Sequence, residues 1–258
     1  MPHVKIKELD IFYSDQGEGQ PILFVHGLAI DSRIFEDQAE YFKPNYRVTR
    51  YDLRGHGESE APESGYSYQD YADELKALIE HFDLADFHLV GVSMGGAVAA
   101  RYLLDNPGKA KSITFVGSHI TGFYQFEGWP NLFKIAQTEG IEKARERWKN
   151  FRLFETVRSY YRRFPKLMNM IDNFSCAPWL DPNFRYKDRS DLDRLDQIDI
   201  PALIAIGKSD RDFYPVAQIL KEKLPNNRFE EFDCGHLLSY EKPDEFNSLL
   251  DEFIATVA

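Results

Sequence analysis

The sequence predicts an α/β fold in which a mostly parallel β-sheet is covered by helices on both faces. Short, continuously apolar runs alternate with stretches of helical periodicity along most of the 258 residues. Apolar runs of this length are typical of strands that are buried on both faces of a sheet. Because parallel strands need a crossover between them, the alternation of strand and helix favours a parallel arrangement.

The predicted strands form a short antiparallel start, followed by six buried runs. Residues 4–9 and 11–13 form the start. The six runs are Pro21–Val25, Tyr46–Tyr51, Phe87–Val92, Ser112–Val116, Ala202–Ile206 and Arg228–Phe232. Helices are predicted over Met94–Asp105, over Asp244–Val257 and after Ser67, which begins a capping box with Asp70 in place of the usual Glu.

This alternation breaks across residues 119–189, where no strand-like run occurs. The helical segments predicted there instead are Trp129–Glu139, Ile141–Phe154 and Glu155–Met170. Residues 118–187 contain 15 aromatic residues, and their 12 Lys and Arg outnumber 7 Asp and Glu. A helical insertion of this kind between two buried strands predicts a cap over the edge of the sheet. We therefore expect a core domain of residues 1–118 and 190–258, with the cap inserted in it.

The strongest chemical signal is the segment from Val90 to Gly96, which matches the pattern Gly-x-Ser-x-Gly around Ser93. It lies between a predicted strand and a predicted helix, the context in which this pattern forms a sharp turn that exposes the hydroxyl. Gly91 and Gly95 remove Cβ atoms where neighbouring chains approach the turn. The N-terminus of the following helix favours developing negative charge. Ser93 is therefore predicted to be a nucleophile.

A serine hydroxyl is a weak nucleophile and needs a base to take its proton. His236 is the candidate, because it follows the last predicted strand, in a loop that returns to the carboxyl edge of the sheet. The base in turn needs an orienting carboxylate. Asp210, in the loop after the strand Ala202–Ile206, is preferred, and Asp212 in the same loop is the alternative.

An oxyanion that forms during acyl transfer needs preorganised N–H donors. The backbone N–H of Met94, the residue after the nucleophile, is the first candidate. The second candidate is the backbone N–H of Leu28, in the loop after the strand Pro21–Val25. His26, in the same loop, is interpreted as a structural residue that ties down the turn.

Taken together, these motifs resemble the α/β-hydrolase superfamily over nearly the whole chain. The residues that carry the resemblance are His26-Gly27, Asp52–Ser59, Gly91–Gly96, Asp210 and Gly235-His236. The resemblance implies an eight-stranded sheet, a cap inserted after the sixth strand, and a triad in the chain order Ser, Asp, His. In similar proteins the segment Asp52–Ser59 is usually a structural turn, and no catalytic role is assigned to it here.

The predicted activity is hydrolysis of a small carboxylic ester, thioester or lactone through an acyl-enzyme at Ser93, without a cofactor or a metal. Ser93 stands where similar haloalkane dehalogenases and epoxide hydrolases carry Asp. The loop after His26 lacks the Gly-Gly-Pro-Gly of proline iminopeptidases. Hydrolysis of a C–C bond, of the meta-cleavage type, stays open as an alternative. So do a ligand receptor with a residual triad and a cofactor-free lyase or oxygenase.

The charge and composition of the chain argue against several classes of binding partner. The formal net charge of −11 argues against nucleic acid, because a phosphate backbone requires clustered Lys and Arg. The two cysteines exclude a disulfide scaffold, and the scattered histidines form no metal-binding pattern. Without a spanning apolar run or a signal sequence, we expect a cytoplasmic monomer or homodimer that binds a small-molecule substrate with an apolar part.

Overall fold

The computed structural model describes residues 2–123, 127–181 and 189–257. These residues form an eight-stranded sheet in the order β1-β2-β4-β3-β5-β6-β7-β8. The strands are β1 His3–Ile6, β2 Leu9–Gln16, β3 Pro21–Val25, β4 Arg47–Tyr51, β5 Phe87–Val92, β6 Ala110–Val116, β7 Ala202–Gly207 and β8 Asn227–Phe232. β2 pairs antiparallel with β1 and β4, and the other pairs are parallel. The predicted sheet is confirmed.

Helices cover this sheet, as the burial of its strands requires. The described helices are α1 Glu36–Phe42, α2 Tyr68–His81, α3 Met94–Asp105, α4 Leu132–Thr138, α5 Ile141–Lys149, α6 Arg163–Asn173, α7 Ala177–Leu180, α8 Tyr214–Lys223, α9 Leu238–Glu241 and α10 Pro243–Val257. All residues of β5 and β7 are buried. Since these two strands have no exposed face, their ends are the places where polar side chains can reach a ligand. None of the described helices is long and apolar enough to cross a membrane.

The capping box at the start of α2 has the predicted geometry. The Ser67 side chain accepts a hydrogen bond from the backbone N–H of Asp70 at 3.1 Å. The Asp70 carboxylate accepts one from the backbone N–H of Ser67 at 3.0 Å. Two N–H groups that the first turn leaves unpaired are thus satisfied, which explains why the helix begins here.

The turn between β1 and β2 lies elsewhere than predicted. The sequence predicts the break at Asp10, whereas Lys7 and Glu8 form it, with φ angles of 46° and 70°. A two-residue hairpin turn with both φ angles positive matches the right-handed twist of the strands. Such turns are marked by Gly or Asn in most sequences, and this chain carries neither there.

The described part of the segment between β6 and β7 is mainly helical, but its helices are shorter than predicted. The predicted helix Ile141–Phe154 ends at Lys149. The predicted helix Glu155–Met170 is replaced by a short 3₁₀ turn and α6, which begins at Arg163. Pro165 explains the start of α6, because proline is tolerated in the first turn of a helix and not in its interior. Residues 124–126 and 182–188 of the predicted insertion lie outside the described residues.

A buried ion pair holds the two ends of this insertion together. Arg101 of α3 lies 2.8 Å from the carboxylate of Asp191, and each side chain is only 1% exposed. The hydroxyl of Thr121, at the other end of the insertion, donates to the same carboxylate at 2.7 Å. A buried carboxylate is stable only when such partners satisfy it. The insertion is therefore anchored to α3 where it leaves and re-enters the core.

Candidate active site

The residue at the strand-to-helix turn after β5 is Ser93, and it has a strained backbone. Its φ and ψ angles are 54° and −119°, a backbone conformation that residues other than glycine rarely adopt. A Cβ on Gly95 would overlap the carbonyl oxygen of Val25, and one on Gly91 would lie 2.6 Å from the carbonyl oxygen of Gly95. Close packing of β3, β5 and α3 therefore requires glycine on both sides of the serine.

Gly95→Ala is expected to lower the free energy of unfolding by about 1–3 kcal/mol, because the methyl group overlaps backbone atoms that cannot move freely. Urea unfolding measures this loss. Gly108→Ala is the control, since an added Cβ there has no atom within 4 Å, and its φ of 69° adds only a backbone strain that Gly95 lacks. A loss for Gly95→Ala no larger than for Gly108→Ala would contradict the packing argument.

His236 lies in the loop between β8 and α9, and its ring is paired with Asp210. The Nδ1 atom lies 2.6 Å from Oδ2 of Asp210, and the two residues are 4% and 3% exposed. A carboxylate only accepts hydrogen bonds, so Nδ1 donates and Nε2 is left with a free lone pair. Phe213 fixes the plane of the ring, because the two rings stack with centroids 4.4 Å apart.

Asp212, the alternative acid, has different partners. Its carboxylate accepts hydrogen bonds at 2.9 Å from Nε of Arg152 and at 2.9 Å from Nε1 of Trp129. Both donors belong to the insertion. The structure therefore places Asp210 against His236, and it uses Asp212 to join the same loop to the insertion.

The chain after β3 passes directly against Ser93. A Cβ on Gly27 would lie 3.0 Å from the Cβ of Ser93, so the loop that carries the Leu28 N–H borders the serine. Leu28 and Met94 both line the same cavity as Ser93. The two residues expected to supply N–H donors are thus brought to one place.

His26 holds this loop in position. Its Nε2 accepts the backbone N–H of Leu53 at 2.9 Å, and its Nδ1 lies 2.8 Å from the carbonyl oxygen of Gly27. Burial lowers the pKa of His26, which favours the neutral ring that this pair of hydrogen bonds requires. Its contacts are those of a structural residue.

The segment Asp52–Ser59 is held by hydrogen bonds within itself and to its neighbours. The Asp52 carboxylate accepts the backbone N–H groups of Ser32 and Glu58 at 2.8 and 2.9 Å. The Ser59 hydroxyl donates to the carbonyl oxygen of Asp52 at 2.6 Å. These are the contacts of a turn that is fixed in place.

A cavity of about 340 Å³ lies over Ser93. Its lining residues come from the core and from the insertion: Gly27, Leu28, Ile30, Tyr68, Ser93, Met94, His119, Thr121, Trp129, Pro130, Asn131, Trp148, Leu153, Phe154, Phe213, His236 and Leu237. Most of these side chains are apolar or aromatic, with a few polar groups among them, as in small-molecule sites generally. Among the described residues, no three His, Cys, Asp or Glu side chains cluster as a metal site would need.

Sequence reasoning missed several residues of this cavity, including Tyr68, His119 and Phe213. His119 lies three residues after the end of β6, and its backbone N–H donates to the carbonyl oxygen of Ser93 at 3.0 Å. The rule that ligands bind at the carboxyl ends of parallel strands could have identified it. Tyr68 carries no comparable signal, because it begins a helix. Phe213 ends the loop after β7 that also carries Asp210, but nothing in its local sequence marks it as a lining residue.

The sequence model described as the alpha/beta hydrolase fold matches residues 20–243. The chain belongs to the alpha/beta hydrolase family. Among curated members, the AB hydrolase superfamily protein YisY of Bacillus subtilis is 28% identical over 97% of this chain and 98% of its own length.

Solved structures of alpha/beta hydrolases superimpose on nearly the whole chain. Est816, described as an N-acyl homoserine lactone degrading enzyme, has a TM-score of 0.82 and 30% identity, and covers 98% of this chain and 100% of its own. A thermophilic esterase from Thermogutta terrifontis has a TM-score of 0.88 and 24% identity, and covers 100% of this chain and 99% of its own. The second likeness shows the fold alone.

Proposed function

We propose that this alpha/beta hydrolase cleaves a small carboxylic ester or lactone through an acyl-enzyme at Ser93. The observation that supports this most directly is the pairing of His236 with Asp210 beside a cavity that also contains Ser93. A base oriented by a carboxylate, next to a serine on a strained turn, is the arrangement that activates a hydroxyl for attack on a carbonyl. Est816, which is 30% identical over nearly the whole chain, is described as degrading a lactone, which is a cyclic ester.

The first half of the reaction forms the acyl-enzyme. Nε2 of His236 takes the hydroxyl proton as Oγ of Ser93 bonds to the carbonyl carbon of the substrate. The backbone N–H groups of Leu28 and Met94 donate to the resulting oxyanion, each contributing about 3–4 kcal/mol to the transition state. The C–O bond then breaks, and the alcohol leaves with the proton that His236 holds.

The second half releases the acid. Water replaces the alcohol, His236 takes its proton, and the oxygen attacks the acyl carbon. The ester bond to Ser93 breaks as the proton returns to Oγ. Asp210 stabilises the imidazolium in both halves through its hydrogen bond to Nδ1, and it keeps Nε2 directed to the reacting atoms. In this mechanism Ser93, His236 and Asp210 complete the catalytic cycle without a cofactor.

We also propose that residues 119–189 act as a cap that selects the substrate. The cavity that contains Ser93 and the core residues around it is also lined by four residues of this segment, Trp129, Trp148, Leu153 and Phe154. Their side chains present apolar surface to any group attached to the scissile carbonyl. A substrate with an apolar acyl or ring part therefore fits the cavity, since burial of that part contributes binding energy.

Leu153→Ala is expected to shift the preference toward longer acyl chains, because it enlarges the cavity beside His236. The ratio of kcat/KM for p-nitrophenyl octanoate to that for the acetate should rise about tenfold, the effect of one or two methylene groups in an apolar pocket. Leu180→Ala is the control, since Leu180 belongs to the same segment but is 41% exposed. An unchanged ratio in Leu153→Ala would show that Leu153 does not contact the acyl chain of the substrate.

A fluorophosphonate probe tests the proposed function without knowledge of the natural substrate. We expect the probe to modify Ser93, as located by peptide mapping, and to stop multiple-turnover hydrolysis of p-nitrophenyl butyrate. Failure of both labelling and hydrolysis would overturn the proposal. Labelling at Ser93 without any ester turnover would favour either a receptor that has kept the triad or a C–C bond hydrolase. Turnover of a meta-cleavage-type C–C bond substrate would distinguish the hydrolase from the receptor.

A further inference from the structure

A second buried carboxylate lies next to the loop that carries His236. Glu241, the last residue of α9, is 3% exposed. Its Oε1 accepts the hydroxyl hydrogen of Thr156 at 2.9 Å, and its Oε2 accepts the backbone N–H of Gly235 at 3.2 Å. The proposed mechanism gives this carboxylate no role, although it contacts the residue immediately before the base.

The environment of Glu241 is costly for a charged group. Burial raises the pKa of Glu241, while the hydrogen bonds from Thr156 and from the backbone N–H groups of Gly235 and Leu237 lower it. A carboxylate in such a place is tolerated only because donors surround it. Those donors come from the two residues that flank His236 and from one residue of the insertion.

Thr156 reaches this position because residue 235 has no side chain. A Cβ on Gly235 would overlap the hydroxyl oxygen of Thr156. The insertion therefore lies against the backbone one residue before the base. Thr156 also lines a smaller cavity of about 260 Å³, together with Asp210 and His236. Thr156 thus belongs to the immediate surroundings of the His236–Asp210 pair.

We propose that Glu241 and Thr156 are positioning residues. They fix the backbone of the His236 loop and link its position to the packing of the insertion against the core. This inference rests on the proposed function. Glu241 holds the loop through the N–H of Gly235, and the Thr156 hydroxyl holds Glu241. Neither Glu241 nor Thr156 lines the cavity over Ser93.

The link matters because the base must meet Oγ of Ser93 at hydrogen-bond distance. A displacement of about 1 Å at a reacting group lowers the rate by as much as about 100-fold. When the Thr156 hydroxyl is removed, one oxygen of Glu241 loses its partner and the carboxylate rotates or protonates. The N–H of Gly235 then loses its fixed acceptor, and the His236 loop gains freedom.

Thr156→Val and Thr156→Ser form a matched pair, because valine keeps the shape and serine keeps the hydroxyl. For hydrolysis of p-nitrophenyl butyrate, we expect Thr156→Val to lower kcat roughly tenfold with KM changed less than twofold. Thr156→Ser should recover most of kcat. Glu241→Gln keeps an acceptor for the N–H of Gly235, so its kcat should lie between those of Thr156→Val and Thr156→Ser. Thr138→Val is the control, since the Thr138 hydroxyl donates only within α4, to the carbonyl oxygen of Lys134.

A proton NMR measurement supplies a readout that does not depend on any substrate. The Nδ1 proton of His236, shared with Asp210, should give a downfield resonance in the unmodified protein and in Thr156→Ser. The same resonance should broaden or disappear in Thr156→Val. Circular dichroism verifies that each variant is folded, so that a loss of kcat is not a loss of protein.

The outcomes separate this inference from the proposed function. If the unmodified protein hydrolyses esters and Thr156→Val keeps both its kcat and the downfield resonance, the positioning role is overturned and the proposed function stands. If Thr156→Val and Thr156→Ser lose activity equally, the hydroxyl is not the link, and the inference is also overturned. If the unmodified protein neither reacts with a fluorophosphonate nor hydrolyses any ester, both proposals fall.

Discussion

Ser93→Ala is expected to lower kcat for p-nitrophenyl butyrate by about 10⁴-fold or more, because the acyl-enzyme can no longer form. Binding should persist, since the cavity keeps its other lining residues. Steady-state kinetics measure the loss, and calorimetry with a non-hydrolysable ester analogue measures the binding that remains. The proposed N–H donors at Leu28 and Met94 should leave a small residual rate above that of water.

Ser118→Ala is the matched control for this substitution. The Ser118 hydroxyl is buried near the same turn and donates to the carbonyl oxygen of Gly91 at 3.1 Å. Its loss should cost about 1 kcal/mol of stability and leave kcat within a few-fold of the original value. If Ser93→Ala kept full activity, the reaction would not pass through Ser93, and a cofactor-free lyase or oxygenase in which histidine does the work would be favoured.

Asp210→Asn should lower kcat by about 10⁴-fold while leaving the fold intact. An asparagine at this position can donate a hydrogen bond to Nδ1 of His236, which favours the tautomer with the proton on Nε2. That tautomer cannot accept the proton of Ser93. The substitution changes a buried oxygen to a nitrogen of similar size, so circular dichroism and thermal unfolding should show a folded protein.

Asp212→Asn provides the contrast, because Asp212 lies two residues away and binds the insertion instead of the base. We expect its kcat to change little and its KM to rise about threefold to tenfold, as the charge-assisted bonds to Arg152 weaken and Trp129 loses its fixed acceptor. Equal losses of kcat in the two variants would contradict the division of roles between these carboxylates. A large loss in Asp212→Asn alone would make Asp212 the orienting acid.

The central sheet and the turn at Ser93 could be predicted because their signals are local. Continuous apolar runs identify buried strands, and the pattern around Ser93 specifies a strand-to-helix turn within a few residues. The boundaries of Met94–Asp105 agree with α3 for the same reason. Where several strands end at one edge, their loops meet, so His236 and Asp210 could be assigned to one site from order alone.

The remaining features depend on contacts between distant parts of the chain. Asp210 and Asp212 are two carboxylates in one loop, and only contacts with distant residues distinguish them. His236 pairs with Asp210, whereas Arg152 and Trp129 donate to Asp212. Glu241 is an unremarkable residue in the sequence, because its partner Thr156 lies 85 residues away. The helices of the insertion were predicted too long, since the helical pattern continues through turns that tertiary packing breaks.

The short loop from Asp210 to Phe213 has a consequence for protein engineering. Asp210 serves the base, Asp212 serves the insertion, and Phe213 stacks on His236 while its ring also lies 5.9 Å from that of Trp129. A chimaera that receives its insertion from another protein must therefore bring an equivalent of Arg152, or Asp212 becomes a buried carboxylate that lacks its charged partner, which costs about 1–3 kcal/mol. Exchange of the insertion and retention of the Asp210–His236 pair are thus a single design problem, and Asp212 is the position at which donor and recipient must be matched first.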